Sequence, residues 1–214
     1  NLGIGCVAKG GKSAAHHGEK MEIKQEACPD QECKKCIEIC PVNALAKDEA
    51  GFIIRDESKC RRCRFCHSTC KHGMFITDSH IGADQFVAQM VDNALGVVKA
   101  MGKDNIFYLN LAIDIVPQCD CSGVSDVPFV PDIGILASMD PVAVDQACVD
   151  KVHESLASPY SKAWELELGK GSEKLSYIYG NKGDGPVRTW EVQLSIAEEM
   201  GLGSREYDLV DLDS

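Results

Sequence analysis

The sequence predicts an α/β domain into which a small, cysteine-rich α+β module is inserted. Three observations predict it. Beyond residue 78, apolar strands alternate with amphipathic helices, the order expected of an α/β domain. Eight of the twelve cysteines fall into two compact groups between residues 21 and 78. Those groups sit in an internal repeat: Ile23 to Cys28 parallels Ile54 to Cys60, and Ala44-Leu45-Ala46 after Cys40 parallels Met74-Phe75-Ile76 after Cys70. Each half reads as a short strand, a cysteine loop, a turn and another short strand. Neither half can bury a core alone, so the two are expected to pack face to face.

In chain order, Leu2 to Ala8 reads as a short strand followed by a Gly/Lys/His loop through residue 20. After the module, Ser79 is placed to cap a helix. In that helix Ile81, Phe86, Val87, Met90, Val91, Ala94, Leu95, Val98 and Met101 recur at helical spacing. Ile106 to Val116 is an apolar strand. Val127 to Leu136 is a second, with Pro128 and Pro131 implying an edge or a bend. Asp140-Pro141 is a cap with proline at the first helical position, opening a helix to about Leu156. A further helix runs from about Val187 to Met200, stopped by Gly201, and Tyr207 to Leu212 is read as a last strand. The predicted domains are therefore residues 1–20 with 79–214, and residues 21–78.

Composition excludes several functions. A net charge of −11 lacks the basic footprint that nucleic-acid binding needs. It suits a soluble chain. No apolar run approaches the ~18 residues that span a bilayer; the longest, near Ile106 to Val116, is broken by Asn110 and Asp114. Lys9 to Lys12 interrupt any signal-peptide pattern. The chain opens on Asn1 rather than Met, so it is read as a piece of a longer one. Closely spaced cysteines without a secretion signal serve a metal better than disulfides. The expected setting is a reducing, anoxic cytoplasm.

The spacing specifies the metal chemistry. The second group is Cys60-x2-Cys63-x2-Cys66-x3-Cys70, and the first is Cys28-x4-Cys33-x2-Cys36-x3-Cys40-Pro41. Three thiolates at such spacing reach three irons of a [4Fe–4S] cluster, and the fourth cysteine ligates the other cluster. One cluster is thus assigned to Cys28, Cys33, Cys36 and Cys70, the other to Cys60, Cys63, Cys66 and Cys40. A pair of zinc knuckles would use Cys-x2-Cys pairs with no crossed fourth ligand. At these residues the segment 21–78 resembles a bacterial two-cluster ferredoxin. It departs from that family in the x4 gap, which adds two residues within Pro29 to Glu32, and in Lys71, where a proline would follow Cys70.

Charge makes the two groups unequal. Lys59, Arg61, Arg62, Arg64 and Lys71 surround the second without a carboxylate, while Asp30, Glu32 and Glu38 offset Lys34 and Lys35 in the first. Positive charge favours the reduced cluster, so the second cluster is expected to have the higher potential. The same basic stretch also suits docking of an acidic partner.

Of the remaining cysteines, Cys119 and Cys121 follow an apolar strand, where α/β sheets place ligands. Together with Cys6, His16 and His17 they form a candidate third metal site, against ordinary reduced thiols and surface histidines. Cys148 reads as a core residue within a helix. Gly10-Gly11-Lys12-Ser13 lacks the earlier glycine of a phosphate-binding loop, since that position is Cys6. Asp126, Asp132, Asp140 and Asp145 gather near the second strand. Asp140 is explained as a cap and Asp145 as dipole support, while Asp132, inside an apolar run, is the functional candidate of the set.

Cys119 to Cys121, Val130 to Ser138 and Asp140 to Ala147 resemble a second family, the C-terminal part of domain-of-unknown-function family 362. Residues 1–20 and 79–212 are similar to it. The resemblance implies an iron–sulfur protein with a two-cluster ferredoxin insertion, longer at its N-terminus, and supplies no substrate. Two functions follow. One is an electron-transfer protein relaying single electrons to a redox partner protein. The other is a redox enzyme or enzyme subunit whose clusters feed a metal or substrate site near Cys119 and Cys121, favoured by the size of the α/β region. An oxygen sensor has no need of two clusters. The sequence leaves the oligomeric state open.

Overall fold

The computed structural model describes Leu2, Ala15 and residues 21–28, 32–77, 82–118, 123–179 and 189–212. The chain divides into two compact units, Gly5–Gln89 and Asn1–Ile4 with Met90–Ser214.

In the first unit, four three-residue strands and two one-turn helices follow in order: β1 (Met21–Ile23), α1 (Lys35–Glu38), β2 (Leu45–Lys47), β3 (Ile53–Arg55), α2 (Phe65–Thr69) and β4 (Phe75–Thr77). β1 pairs antiparallel with β4, and β2 with β3. The first and last strands of the repeat therefore meet, as do the two middle ones. The halves are tied at equivalent points: Lys24 N–H donates to Met74 O at 2.7 Å and Asp56 N–H to Ala44 O at 2.8 Å. Gln25 bridges to β3 through both ends of its amide, donating to Ile53 O at 2.6 Å and accepting from Ile53 N–H at 3.0 Å. The core is Met21, Leu45, Ile53, Met74 and Phe75 together with Cys36 and Cys66.

α3 (Ala83–Met101) enters the second unit at Met90 and leads there to β5 (Tyr108–Ala112), β6 (Gly134–Ser138), α4 (Pro141–Glu154), α5 (Lys162–Glu165), α6 (Leu175–Tyr179) and α7 (Thr189–Glu199). β5 and β6 form an antiparallel pair. The expected strand at 106–116 is shorter because Asp114 takes a left-handed φ of 49°. The expected strand at 127–136 begins only at Gly134: Pro128 and Pro131 have no N–H for a ladder, and Phe129 and Val130 are instead fully buried in a core with Val152, Ala163 and Ile178. No strand forms at 207–212. There the Tyr207 hydroxyl donates to Asp150 Oδ2 on α4 at 2.7 Å. The segment Leu2–Ala8, the Gly/Lys/His loop and Ser79 lie almost wholly outside the described residues, Leu2 and Ala15 excepted.

α4 is the hub. It packs on both strands and on α7, and it places Val142 in a core with Leu2, Val91, Ala94, Leu194, Ala197 and Leu202 and Val152 in the second core. Asp140 caps it, accepting from Val142 N–H at 2.8 Å and Ala143 N–H at 3.0 Å. Its other oxygen accepts from Ser204 N–H at 3.0 Å, so one carboxylate fixes the helix start and the chain after α7. Gly203 packs so closely on Asp140 that an added Cβ would overlap the carboxylate. At the other end of α4, the wholly buried Lys174 donates from Nζ to three carbonyls: His153 at 2.7 Å, Gly169 at 2.9 Å and Ser172 at 3.3 Å. Beside it, His153 Nε2 lies 3.3 Å from Glu173 Oε1. That oxygen also accepts from Trp190 Nε1 at 3.1 Å.

Two outcomes are expected. Asp140→Ala removes both a cap and the Ser204 tie and costs about 2 kcal/mol. Gly203→Ala costs a similar amount alone and much less on top of Asp140→Ala, as read by urea unfolding of the four proteins. Burial, only partly opposed by Glu173, holds His153 below its ordinary 6.5. The unfolded chain therefore takes up this proton first, and stability falls as pH drops below 6.5. His153→Gln flattens that fall in unfolding curves taken at stepped pH.

Candidate metal centre

All eight cysteines of the two groups are described, and all nine described cysteines are thiols rather than disulfides. The local structure that presents them is repeated. Cys28 closes a single 3-10 turn at Gln25–Ala27, with its N–H on Gln25 O. Cys36 lies within α1 and Cys66 within α2, and each is the buried member of its group. One turn later, Cys40 N–H bonds Ile37 O and Cys70 N–H bonds Cys66 O. The short helices end there, and the fourth cysteine leaves its own loop.

Two clefts receive these side chains. The first, of about 510 Å³, is lined by Cys28, Cys33, Cys36 and, from the other half, Cys70. The second is lined by Cys60, Cys63, Cys66 and, from the first half, Cys40. It is far tighter, about 20 Å³. Among the described residues, no group of three or more His, Cys, Asp or Glu side chains is arranged to hold a metal ion.

The thiols feel one another. Burial pushes Cys66 up to about 11, and the charges of Cys63, Cys60 and Cys36 push the same way. Cys36 is raised by burial first, then by Cys33 and Cys70. Crowded sulfurs of this kind resist ionisation in the bare protein, whereas a bound cation inverts that balance and takes them as thiolates. Ala44 N–H donates to Cys40 Sγ at 3.2 Å, a backbone dipole aimed at sulfur.

Charge around the clefts differs from the sequence expectation at two lysines. Lys59 lines neither cleft and pairs with Asp56 at 2.9 Å. Lys71, counted with the second group along the chain, lines the first cleft beside Cys70, together with His72, Lys34, Lys35, Glu32 and Glu38. The second cleft keeps Arg61, Arg62 and Arg64 and no carboxylate. Arg64 is 4% exposed, a burial the spacing did not reveal. Arg62 and Arg64 both hold left-handed φ, 51° and 60°, which costs a non-glycine residue roughly 1 kcal/mol or more.

The other sequence candidates fare differently. Cys6, His16, His17, Cys119 and Cys121 lie outside the described residues, as do Pro29, Asp30 and Gln31 of the x4 gap and Gly10 to Ser13. Asp132 has a structural role, accepting from Asp114 N–H at 2.9 Å and so holding the left-handed turn after β5. Asp145 accepts from Asn110 Nδ2 at 2.8 Å and Leu2 N–H at 3.2 Å rather than serving the helix dipole alone. Cys148, expected in the core, is half-buried and accepts from Asn110 Nδ2 at 3.2 Å.

Comparison with known proteins identifies the family. The protein belongs to the one described as domain of unknown function DUF362, whose profile matches residues 1–150. Shorter likenesses reach subunits of reductases. An anaerobic dimethyl sulfoxide reductase chain of Escherichia coli K12 is 40% identical over 53 residues, 25% of this chain and 24% of that protein. A putative dimethyl sulfoxide reductase iron-sulfur subunit of Halobacterium salinarum is 34% identical over 53 residues, 25% of this chain and 20% of that protein. A selenate reductase subunit of Mesobacillus selenatarsenatis is 37% identical over 46 residues, 22% and 16% respectively. The chain thus spans about a quarter or less of these relatives. No solved structure matches it. Among the described residues no helix is long and apolar enough to cross a membrane.

Proposed function

We propose that residues 21–78 are a ferredoxin-like module holding two [4Fe–4S] clusters, inserted in an α/β domain, and that the chain relays single electrons to a redox partner protein. The observation that carries this reading is the crossed lining of the two clefts, three thiols from one group and the fourth from the other in each. A single ion gathers its sulfurs about one point, at ~2.3 Å. Four thiols drawn from two separate loops suit a cubane instead, with one sulfur for each iron. The likeness to a protein named as a putative reductase iron-sulfur subunit supports an iron–sulfur redox role in this chain too. When bound, the clusters accept and release one electron each. The chain's own part is to supply the thiolates, exclude water with Met21, Ile53, Met74 and Phe75, and set the charge around each cluster.

Anaerobically prepared protein is expected to contain about eight irons with matching sulfide. Ligand pairing should show in double variants. Cys40→Ser with Cys63→Ser removes about one cluster's iron, and Cys40→Ser with Cys36→Ser disturbs both clusters. Iron loss that follows the linear groups instead, with Cys40 and Cys36 acting on one cluster, would contradict the crossing. A zinc-filled protein would end the reading.

Charge should separate the potentials. With three arginines and one N–H···S bond, the cluster at Cys40, Cys60, Cys63 and Cys66 is expected to be the easier to reduce. Arg64→Leu should lower its potential by on the order of 50 mV, more than the exposed and better-screened Arg61→Leu does. Redox titration followed by electron paramagnetic resonance reads both.

A further inference from the structure

Among the described residues, the β5–β6 pair is covered on one side only. Tyr108 and Ala112 are buried, Asn110 bonds to Asp145 on α4, and α4 packs on both strands. The opposite side carries Leu109 against Ala137 and Leu111 against Ile135 in register. Strand alternation brings Phe107, Ile113 and Met139, just beyond the strand ends, to the same side. These side chains are exposed: Phe107 by 59%, Leu111 by 61%, Ile135 by 69% and Met139 by 52%. An antiparallel face that meets water normally alternates to polar residues, and this one has none at seven positions.

The area and the chemistry of the face choose its occupant. Together the seven expose roughly 650 Å², most of it apolar, at the upper end of the largest patch on an ordinary monomer and within the range that one partner gives to a standard interface. No charge lies among them, so the face offers nothing that would select a charged partner, and its best complement is another face of the same kind. The relief is self-complementary too. Ala137 leaves a depression between the larger side chains of β6, and Leu109 stands directly across from it. A two-fold axis seats Leu109 of each copy over Ala137 of the other, filling both depressions in an isologous contact.

We propose that this face is the contact between two copies of the chain, packed sheet on sheet about a two-fold axis. The proposal stands apart from the electron-transfer reading, since every residue in it belongs to the unit without the cysteine groups.

Sedimentation velocity on the whole chain, from low to high micromolar concentration, tests it. The expected species has twice the 23.2 kDa mass. Leu111→Glu with Ile135→Glu should weaken association on the order of a hundredfold, because unpaired carboxylates would be buried. Ala137→Leu, which fills the depression without adding charge, should weaken it about tenfold. Circular dichroism checks that each variant folds, and should the glutamate variant fail, Ala137→Leu and the unaltered chain decide alone. A monomer at every concentration, or a dimer untouched by Ala137→Leu and by any folded glutamate variant, overturns the proposal.

Discussion

The cysteine module depends on thiols serving as its core. Its described strands are three residues long and its helices one turn, and its core gathers Met21, Leu45, Ile53, Met74 and Phe75 about Cys36 and Cys66. A unit of this size has a small apolar area to set against the entropy of ordering its loops. Under the proposed reading, cluster binding would add to it, as metal binding does where site and fold form together. The halves pair first strand with last and are tied at Lys24–Met74 and Asp56–Ala44, and the fourth cysteine of each lines the cleft of the other.

The crossing also redistributes charge. Lys71 travels with Cys70 to the first cleft, where it joins two other lysines and two glutamates. The second cleft is left with arginines only, one of them buried. A linear count along the sequence overstates the contrast between the two groups, since it assigns Lys71 to the wrong side. What remains of the contrast rests on Arg64, whose charge sits out of water and is screened least.

The second unit is organised by α4 instead. One carboxylate, Asp140, serves both its own helix start and the return of the chain after α7, with Gly203 leaving room for the contact. A buried ammonium, Lys174, is satisfied by three carbonyls at the far end. Both are polar devices inside apolar surroundings, and their cost is met only because every hydrogen-bonding site on Asp140 Oδ1 and on the ammonium is used.

Much of this was legible in the residues. Cysteine spacing and the repeat pointed to paired halves and a shared set of thiols, because ligand geometry acts over a few residues. Asp140-Pro141 and Gly201 marked helix ends for the same local reason, as the cap bonds and the left-handed Gly201 show. Periodicity found α3 and α7 to within a few residues. It failed at Val127 to Leu136 and Tyr207 to Leu212, where apolar residues are claimed by a core or tethered by side chains rather than by a ladder. Asp132 looked functional only because its partner, the Asp114 N–H, lies eighteen residues earlier. The burial of Arg64 and Lys174, the transfer of Lys71 and the one-sided cover of β5–β6 were decided by tertiary structure alone. Each depends on what comes close in space from distant parts of the chain, and no local pattern of residues carries that information.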